Sequence, residues 1–451
     1  MAVNTFTPSE IASRPELFYG RVKELRKLSR AIKQGSLTIQ GPVGIGKSSL
    51  LSRIMLHMEG FNSDFHSKCV CVTAHRDISG VDEAARLILE TFVSIDEEKK
   101  LLKVNLFKVF EVQSHEVYKN FTEGRHLAVL CKLLEKEYLN ENKDFLIIAV
   151  DEADKAPKSL TKLIRVVCNN LQQSGLNNVR FIIAGVNPYF KHMSEEDPGI
   201  IRFFATPLNV ASMLDDEAEE LIESKLQACI TQSEQEGETL TYDPEIIEQI
   251  RRLSGGHPHL IQLLGWHLIE REDEEQDGIL DVKDLTDALK TICYDDRVYL
   301  YDSMIELLKI EGVYDKFLTL LRNCSNTFPT KIDRAAVQSI CDTDTTQWLL
   351  ENNYLSAKSD EHYGLVDEFL RVRIIMDDEE RSRDEVERNF LASKTPSNEL
   401  EFDGYSEDYV HGDLSHQEDH YEDEYDVLSN PEQYFDNVQE LIDEEESLKS
   451  I

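Results

Sequence analysis

The sequence is short of features that would place it in several large classes. No apolar run approaches the ~18 residues that a membrane span needs, so no membrane segment is expected. The first residues, MAVNTFTPSEIASRPELF, have neither a basic start nor an apolar core, which argues against a secretory signal. No CxxC pair occurs among the 8 cysteines, and thiols scattered in this way fit a reducing compartment better than disulfides or zinc. A cytoplasmic location is the resulting expectation. Basic charge is scarce as well: 48 Lys and Arg against 86 Asp and Glu leave a net charge of −38. From residue 377 onward there are 26 acidic and 5 basic side chains, so this tail carries −21 of the excess and the body only −17. A body of that charge has no broad electrostatic footprint for nucleic acid and leaves room only for a local basic patch.

What is present first is an alternation of two periods. SLTIQ (36–40), CVCVT (69–73), FLIIAV (145–150) and VRFIIAGV (179–186) are short apolar runs, several rich in Val and Ile, as strands buried on both faces should be. Amphipathic stretches separate them, such as 126–140 with Leu127, Leu130, Leu133 and Leu134 on one side. The fold class expected is α/β, with a parallel sheet covered by helices over residues 1–208. From about 209 the strands stop. Helical patterns near 214–229, 243–254, 257–270 and 281–293 predict an all-α lid over 209–297. Residues 298–376 carry helical runs near 313–323, 333–341 and 343–352, then two strand candidates around a polar turn, the pattern of a winged helix. Over 377–451 the periodicity collapses into acidic sequence that reads as a disordered tail.

The string Gly41-Pro-Val-Gly44-Ile-Gly46-Lys47-Ser48 fits GxxxxGK[ST], lies between a strand candidate and the helical pattern SSLLSRIMLHM, and so reads as a phosphate-binding P-loop. Glycines at 41, 44 and 46 let backbone N–H groups wrap phosphates, and the helix start that includes Ser49 favours negative charge. Lys47 would reach the β- and γ-phosphates of ATP, and Ser48 would hold Mg²⁺. About a hundred residues later FLIIAVDEAD ends a buried strand in two acids: Asp151 would orient Mg²⁺, and Glu152 could polarise an attacking water. Two lookalikes do not fit their contexts. Asp151-Glu152-Ala153-Asp154 spells the helicase DEAD box, but a helical region stands where a second nucleotide-binding lobe belongs. Leu253-Ser254-Gly255-Gly256-His257 is similar to the ABC signature, but it follows the acidic strand instead of preceding it.

With these motifs in this order, residues 15–375 resemble the AAA+ and STAND ATPases, the group that includes Orc/Cdc6-like proteins and many prokaryotic regulatory ATPases. Phe18-Tyr19-Gly20-Arg21, with Glu24-Leu25, is similar to the segment that lies beside the adenine in that group. The resemblance implies three further roles. Asn187, directly after VRFIIAGV, would be a polar sensor of the γ-phosphate. Arg202 would enter a neighbour's site and make hydrolysis depend on an oligomer. Pro258, in Ser254-Gly255-Gly256-His257-Pro258-His259, would pack on the nucleotide at a helix start, like the GxP element of STAND lids. One departure is that no arginine lies next to this element to act as a second sensor, which favours a slow switch over a fast motor. His257 and His259 could touch phosphate, but they read first as structural histidines.

The candidate recognition helix near 343–352 contains Asp344 and Glu351 and no Lys or Arg, and 312–376 holds 7 basic and 9 acidic residues. DNA is therefore a possible partner but not the favoured one. In the tail, Asn430 and Pro431 could start a helix with Tyr434, Phe435, Val438, Leu441 and Ile442 on one stripe, a candidate docking segment for an unidentified protein. The expectation is an ATP-binding, ATP-hydrolysing switch whose nucleotide state controls homo-oligomerisation or partner binding, in a prokaryotic defence (antiviral) or signalling system. The alternatives are a DNA-associated initiator or transposition regulator, and a scaffold with structural ATP that acts through its acidic tail.

Overall fold

The computed structural model describes residues 3–59, 67–75, 78–92, 125–141, 145–186, 189–205, 207–324, 328–357, 359 and 361–378. Asn187 and all of the tail beyond residue 378, including the segment 430–446, lie outside these residues. The chain divides into two compact units, Met1–Leu391 and Ala392–Ile451.

Five parallel strands form the main sheet: β1 (Leu37–Gln40), β2 (Ser67–Thr73), β3 (Phe145–Asp151), β4 (Val179–Gly185) and β5 (Leu208–Asn209), in the order β2-β3-β4-β1-β5. Every residue of β1 and β3 is buried, as expected where helices cover both faces of a parallel sheet, and β3 shows it in an unbroken apolar run up to Asp151. The covering helices are α1 (Val22–Ala31), α2 (Lys47–Glu59), α3 (Val81–Phe92), α4 (Arg125–Glu141), α5 (Pro157–Gln173) and α6 (Tyr189–Glu196). In α5 the residues Leu160, Leu163, Ile164, Val167 and Leu171 recur at helical spacing and are buried. Leu130, Leu133 and Leu134 of α4 are buried as the periodicity predicts, and Leu127 packs at the margin.

The helical layer that follows holds α7 (Asp215–Gln235), α8 (Glu245–Ser254), α9 (Pro258–Glu275) and α10 (Val282–Thr291). Helix α8 ends at Gly255 in the left-handed conformation, α9 opens on Pro258, and α10 is capped by Asp281, which accepts from Lys283 N at 2.7 Å and Asp284 N at 3.1 Å. One detail differs from expectation. Strands do not stop at 209: β6 (Thr241–Tyr242) and β7 (Ile279–Leu280) pair in parallel, and two residues each are too few to leave a periodic signal.

The last part runs α11 (Val298–Ile310), α12 (Tyr314–Arg322), β8 (Ile332–Asp333), α13 (Arg334–Ile340), α14 (Thr343–Glu351), β9 (Leu355–Ala357), β10 (His362–Leu365) and α15 (Glu368–Asp378). Helices α12 to α14 stand with the antiparallel sheet β8-β10-β9. Helix α15 reaches two residues past 376, because Asp377 and Asp378 are held by Arg373 at 2.8 Å and Arg322 at 2.7 Å. One hydrophobic cluster surrounds the sheet. A second runs unbroken from Phe6 through α7–α10 into α11–α15, so the lid helices and the C-terminal helices share a single core.

Candidate functional site

The loop between β1 and α2 takes the shape that its glycines allow. Gly44 has φ +75° and Gly46 φ +93°, the left-handed region that L side chains avoid. At Gly44 space forbids a side chain as well: a Cβ would stand 2.9 Å from both His257 Cε1 and His259 Cβ. At Gly41 a Cβ would stand 2.7 Å from the Val210 carbonyl. Lys47 opens α2 and arches back over the loop, donating to Gly41 O at 3.0 Å and Pro42 O at 2.6 Å. Burial pushes its pKa down, while Asp151, Asp154 and Glu152, in that order, pull it up. Three carboxylates therefore surround the loop lysine.

Asp151 ends β3, is 8% exposed, and accepts from the Glu152 N–H at 2.9 Å. Glu152 sits at φ +51°, a strained conformation for a residue with a Cβ, and its carboxylate is paired with Lys155. Sequence reasoning missed Asp154. Its Oδ1 accepts from Val186 N at 3.0 Å, so it fixes the chain just before Asn187. The only signal for it was its place in the acidic string, which resembles any solvated loop.

At the other end of the cleft, Gly20 and Arg21 are both left-handed, at φ +62° and +65°. Arg21 is 5% exposed and binds both parts of the molecule. Its N–H donates to Glu217 of α7 at 2.7 Å, and its guanidinium donates to Ile45 O of the phosphate loop at 3.2 Å. The same guanidinium pairs with Glu24 at 3.2 Å. Tyr19 Oη meets Ser224 Oγ at 2.9 Å, and the Arg53 guanidinium lies 5.9 Å above the Phe18 ring. The segment FYGR thus joins α7 to the phosphate loop.

A cleft of about 1030 Å³, open to solvent, runs from this segment to Gly44, Gly46, Lys47, Ser48 and Ser49, with Pro258 and His259 on its lid side. Another wall, which the motifs did not announce, is the N-terminal segment of the chain. Thr7, Pro8, Glu10, Ile11 and Ala12 line the cleft, and Ala12 N donates to Ser49 Oγ at 3.1 Å. His257 Nε2 stands 3.1 Å from Val43 O, and His259 Nδ1 stands 3.0 Å from Pro8 O while its Nε2 meets the Arg297 guanidinium. Both histidines bond protein groups, as structural histidines should. Arg297 thus reaches the lid histidine without lining the cleft. Burial lowers the His259 pKa, Arg297 lowers it further, and Pro8 O and Asp296 oppose the shift.

Arg202 stands apart. It lies exposed at the end of the short helix Pro198–Phe203, stacked 4.6 Å over the Phe203 ring and bonded to Asn169. It does not line this chain's cleft.

The residues present suit a nucleoside triphosphate with Mg²⁺. The loop holds this shape because its glycines reach positive φ and carry no Cβ against Val210, His257 and His259. Among the described residues no group of three or more His, Cys, Asp or Glu could hold a metal unaided. Mg²⁺ commonly takes one or two protein ligands and completes its shell with phosphates and water, which matches Ser48 and Asp151 as a minimal pair. No helix among the described residues is long and apolar enough to cross a membrane.

No protein-family model and no curated protein matches the chain. Solved structures do. The Walker-type ATPase of Pyrococcus abyssi aligns over 81% of this chain and 99% of its own, at 16% identity and a TM-score of 0.51. The Aeropyrum pernix ORC2 protein, in ADPNP–ADP complexes, aligns over 87% and 98% at 14% identity and a TM-score of 0.48. Cdc6p of Pyrobaculum aerophilum aligns over 87% and 100% at 14% identity and a TM-score of 0.46. The chain shares the fold of the Pyrococcus abyssi Walker-type ATPase.

Proposed function

We propose that the chain is an ATP-hydrolysing regulatory switch of AAA+/STAND type, whose nucleotide state is passed from the phosphate loop to the lid and on to the C-terminal helices. The observation that carries this reading is the bond between His257 of the lid and Val43 of the phosphate loop. His257 also lines a second cleft, of about 980 Å³, whose far wall is Leu350 and Glu351 of α14 with Leu355 of β9. A change in the loop on binding phosphate is therefore felt at once by an element that touches the C-terminal helices.

The chemistry follows the placement of the side chains. Lys47 would leave the carbonyls of Gly41 and Pro42 for the phosphates. Ser48 and Asp151 would anchor Mg²⁺, which neutralises phosphate charge. Glu152 would orient the attacking water after parting from Lys155, and Asn187 would sense the γ-phosphate. Phe18, Tyr19 and Pro258 would hold the base and ribose end. Arg202, exposed and away from its own cleft, suits a role in a second copy. A helix α14 without Lys or Arg, with Glu351 paired to Lys191 at 3.5 Å, is better suited to packing on its own body than to reading DNA. A prokaryotic defence or signalling system, with a cytoplasmic location, is the setting proposed for this switch.

The test is light scattering with turnover, on wild type and Glu152→Gln, with and without Mg-ATP. A defined oligomer that forms with ATP, and a turnover that rises with protein concentration, support the switch. A monomer without turnover at every concentration sinks it and leaves ATP as a structural ligand.

A further inference from the structure

The glycine in the middle of α9 has a partner. Gly265 lies seven residues into an eighteen-residue helix, where glycine is unfavourable by up to ~1 kcal/mol relative to alanine. Its missing side chain is matched by Phe6. A Cβ at 265 would fall well under 3.0 Å from the Phe6 ring, closer than real Cβ atoms come. Phe6 is fully buried among the lid side chains, although it belongs to the first residues of the chain and sits 259 positions away.

Around that ring the backbone is fixed on both sides. Val3 N donates to Ser233 Oγ at 3.0 Å, Thr5 Oγ1 to Lys225 O at 2.9 Å, and Lys225 Nζ to Thr5 O at 2.7 Å. Past the ring, Thr7 N donates to Gln262 Oε1 at 2.9 Å and His259 bonds Pro8 O. The segment then leaves the lid, lines the cleft, and ends on Ser49 of the phosphate-loop helix. It is therefore attached to the lid at one end and to the ATPase core at the other, with the nucleotide cleft between.

We infer that residues 3–12 are a strap that closes the nucleotide cleft, and that Phe6 is its positioning residue. The ring in the Gly265 socket sets the register in which Thr7 to Ala12 form the cleft wall. Nucleotide binding and strap seating are then linked, and each strengthens the other by the same factor. Phe6 acts through the strap and touches no nucleotide. This inference rests on the cleft being the nucleotide site, so Lys47→Ala serves as the separate control for that premise.

The test has two arms. In the first, hydrogen exchange is followed on the wild-type chain with and without Mg-ADP. Exchange in peptides covering residues 3–12 is expected to slow ~10-fold or more with nucleotide, and unchanged exchange at saturating Mg-ADP would overturn the strap. The second arm measures affinity and turnover for Phe6→Ala, Gly265→Ala and the double variant. Each single change is expected to raise KM for ATP ~10-fold with kcat within about twofold, a loss of bound-state stabilisation without loss of chemistry. The double variant should be no worse than Phe6→Ala, because an alanine at 265 meets no ring. Should Phe6→Ala fail to fold, Gly265→Ala decides alone. Wild-type affinity in a folded single variant overturns the inference. If wild type itself binds no ATP, and Lys47→Ala behaves identically, the fault lies in the premise instead.

Discussion

His257 Nε2 stands 3.1 Å from the carbonyl oxygen of Val43, so the loop that would wrap the phosphates is hydrogen-bonded to the lid. One residue further on, Gly44 packs so closely on His257 and His259 that a Cβ would reach only 2.9 Å from either. Loop and lid cannot move independently while these contacts last.

Substituting His257 by alanine removes a part-buried hydrogen bond to the exposed Val43, worth about 0.5–1.5 kcal/mol. The expected result is a lower melting temperature and a smaller rise in that temperature on adding Mg-ATP than wild type shows. An undiminished rise would mean that the lid does not read the loop through this residue.

Gly44→Ala combines a left-handed φ of +75° with a steric conflict at the lid. Strain alone is worth about 1–3 kcal/mol. The variant should remain folded by circular dichroism and bind ATP at least ~10-fold more weakly in calorimetry, a tenfold change being about 1.4 kcal/mol. Wild-type affinity would show that the loop opens away from the lid before it binds.

Glu152 and Lys155 are to be compared as a pair. Removing the carboxylate in Glu152→Gln should lower kcat by ~10²–10⁴ with little change in KM, the range for loss of a general base. Lys155→Ala removes the partner that holds that carboxylate. An exposed pair is worth only about 0.2–1 kcal/mol, so kcat should stay level or rise by at most about fivefold. A large fall would assign Lys155 a direct part in catalysis.

Acid should weaken the fold through His259. In the folded chain its pKa lies below the ordinary histidine value of 6.5, because burial and Arg297 both oppose a second proton. The unfolded chain therefore takes up a proton between 6.5 and the lowered value while the folded chain does not, and stability falls as pH drops through that window. His57, lowered by burial and by Arg53, adds in the same direction. Raised carboxyl pKa values at Glu272, Asp284 and Asp367 act oppositely, so the comparison is between wild type and His259→Asn. The melting temperature of the variant should fall less between pH 7.5 and 5.5 than that of wild type.

The sequence and the structure meet most closely where one local pattern sufficed. Strands buried on both faces left runs such as FLIIAV, and Pro258 marked the start of α9, because each depends on residues within a few positions. The two-residue strands β6 and β7 left no such run. Asp154 was hidden for a different reason. Its identity is visible, but its bond to Val186 exists only because β3 and β4 lie side by side. Arg297 was hidden likewise, reaching His259 across 38 positions.

By itself the sequence determined the α/β class, the phosphate loop between β1 and α2, the acids at the end of β3 and the scarcity of base on α14. All of these follow from short-range spacing, which hydrophobic burial and backbone sterics enforce wherever the chain goes. Only the tertiary structure decided that Phe6 fills the space over Gly265, that Arg21 joins Glu217 to Ile45, and that the lid shares its core with the C-terminal helices. Those contacts join residues 24 to 259 positions apart, and a single sequence carries no signal for which separate surfaces will exclude water together.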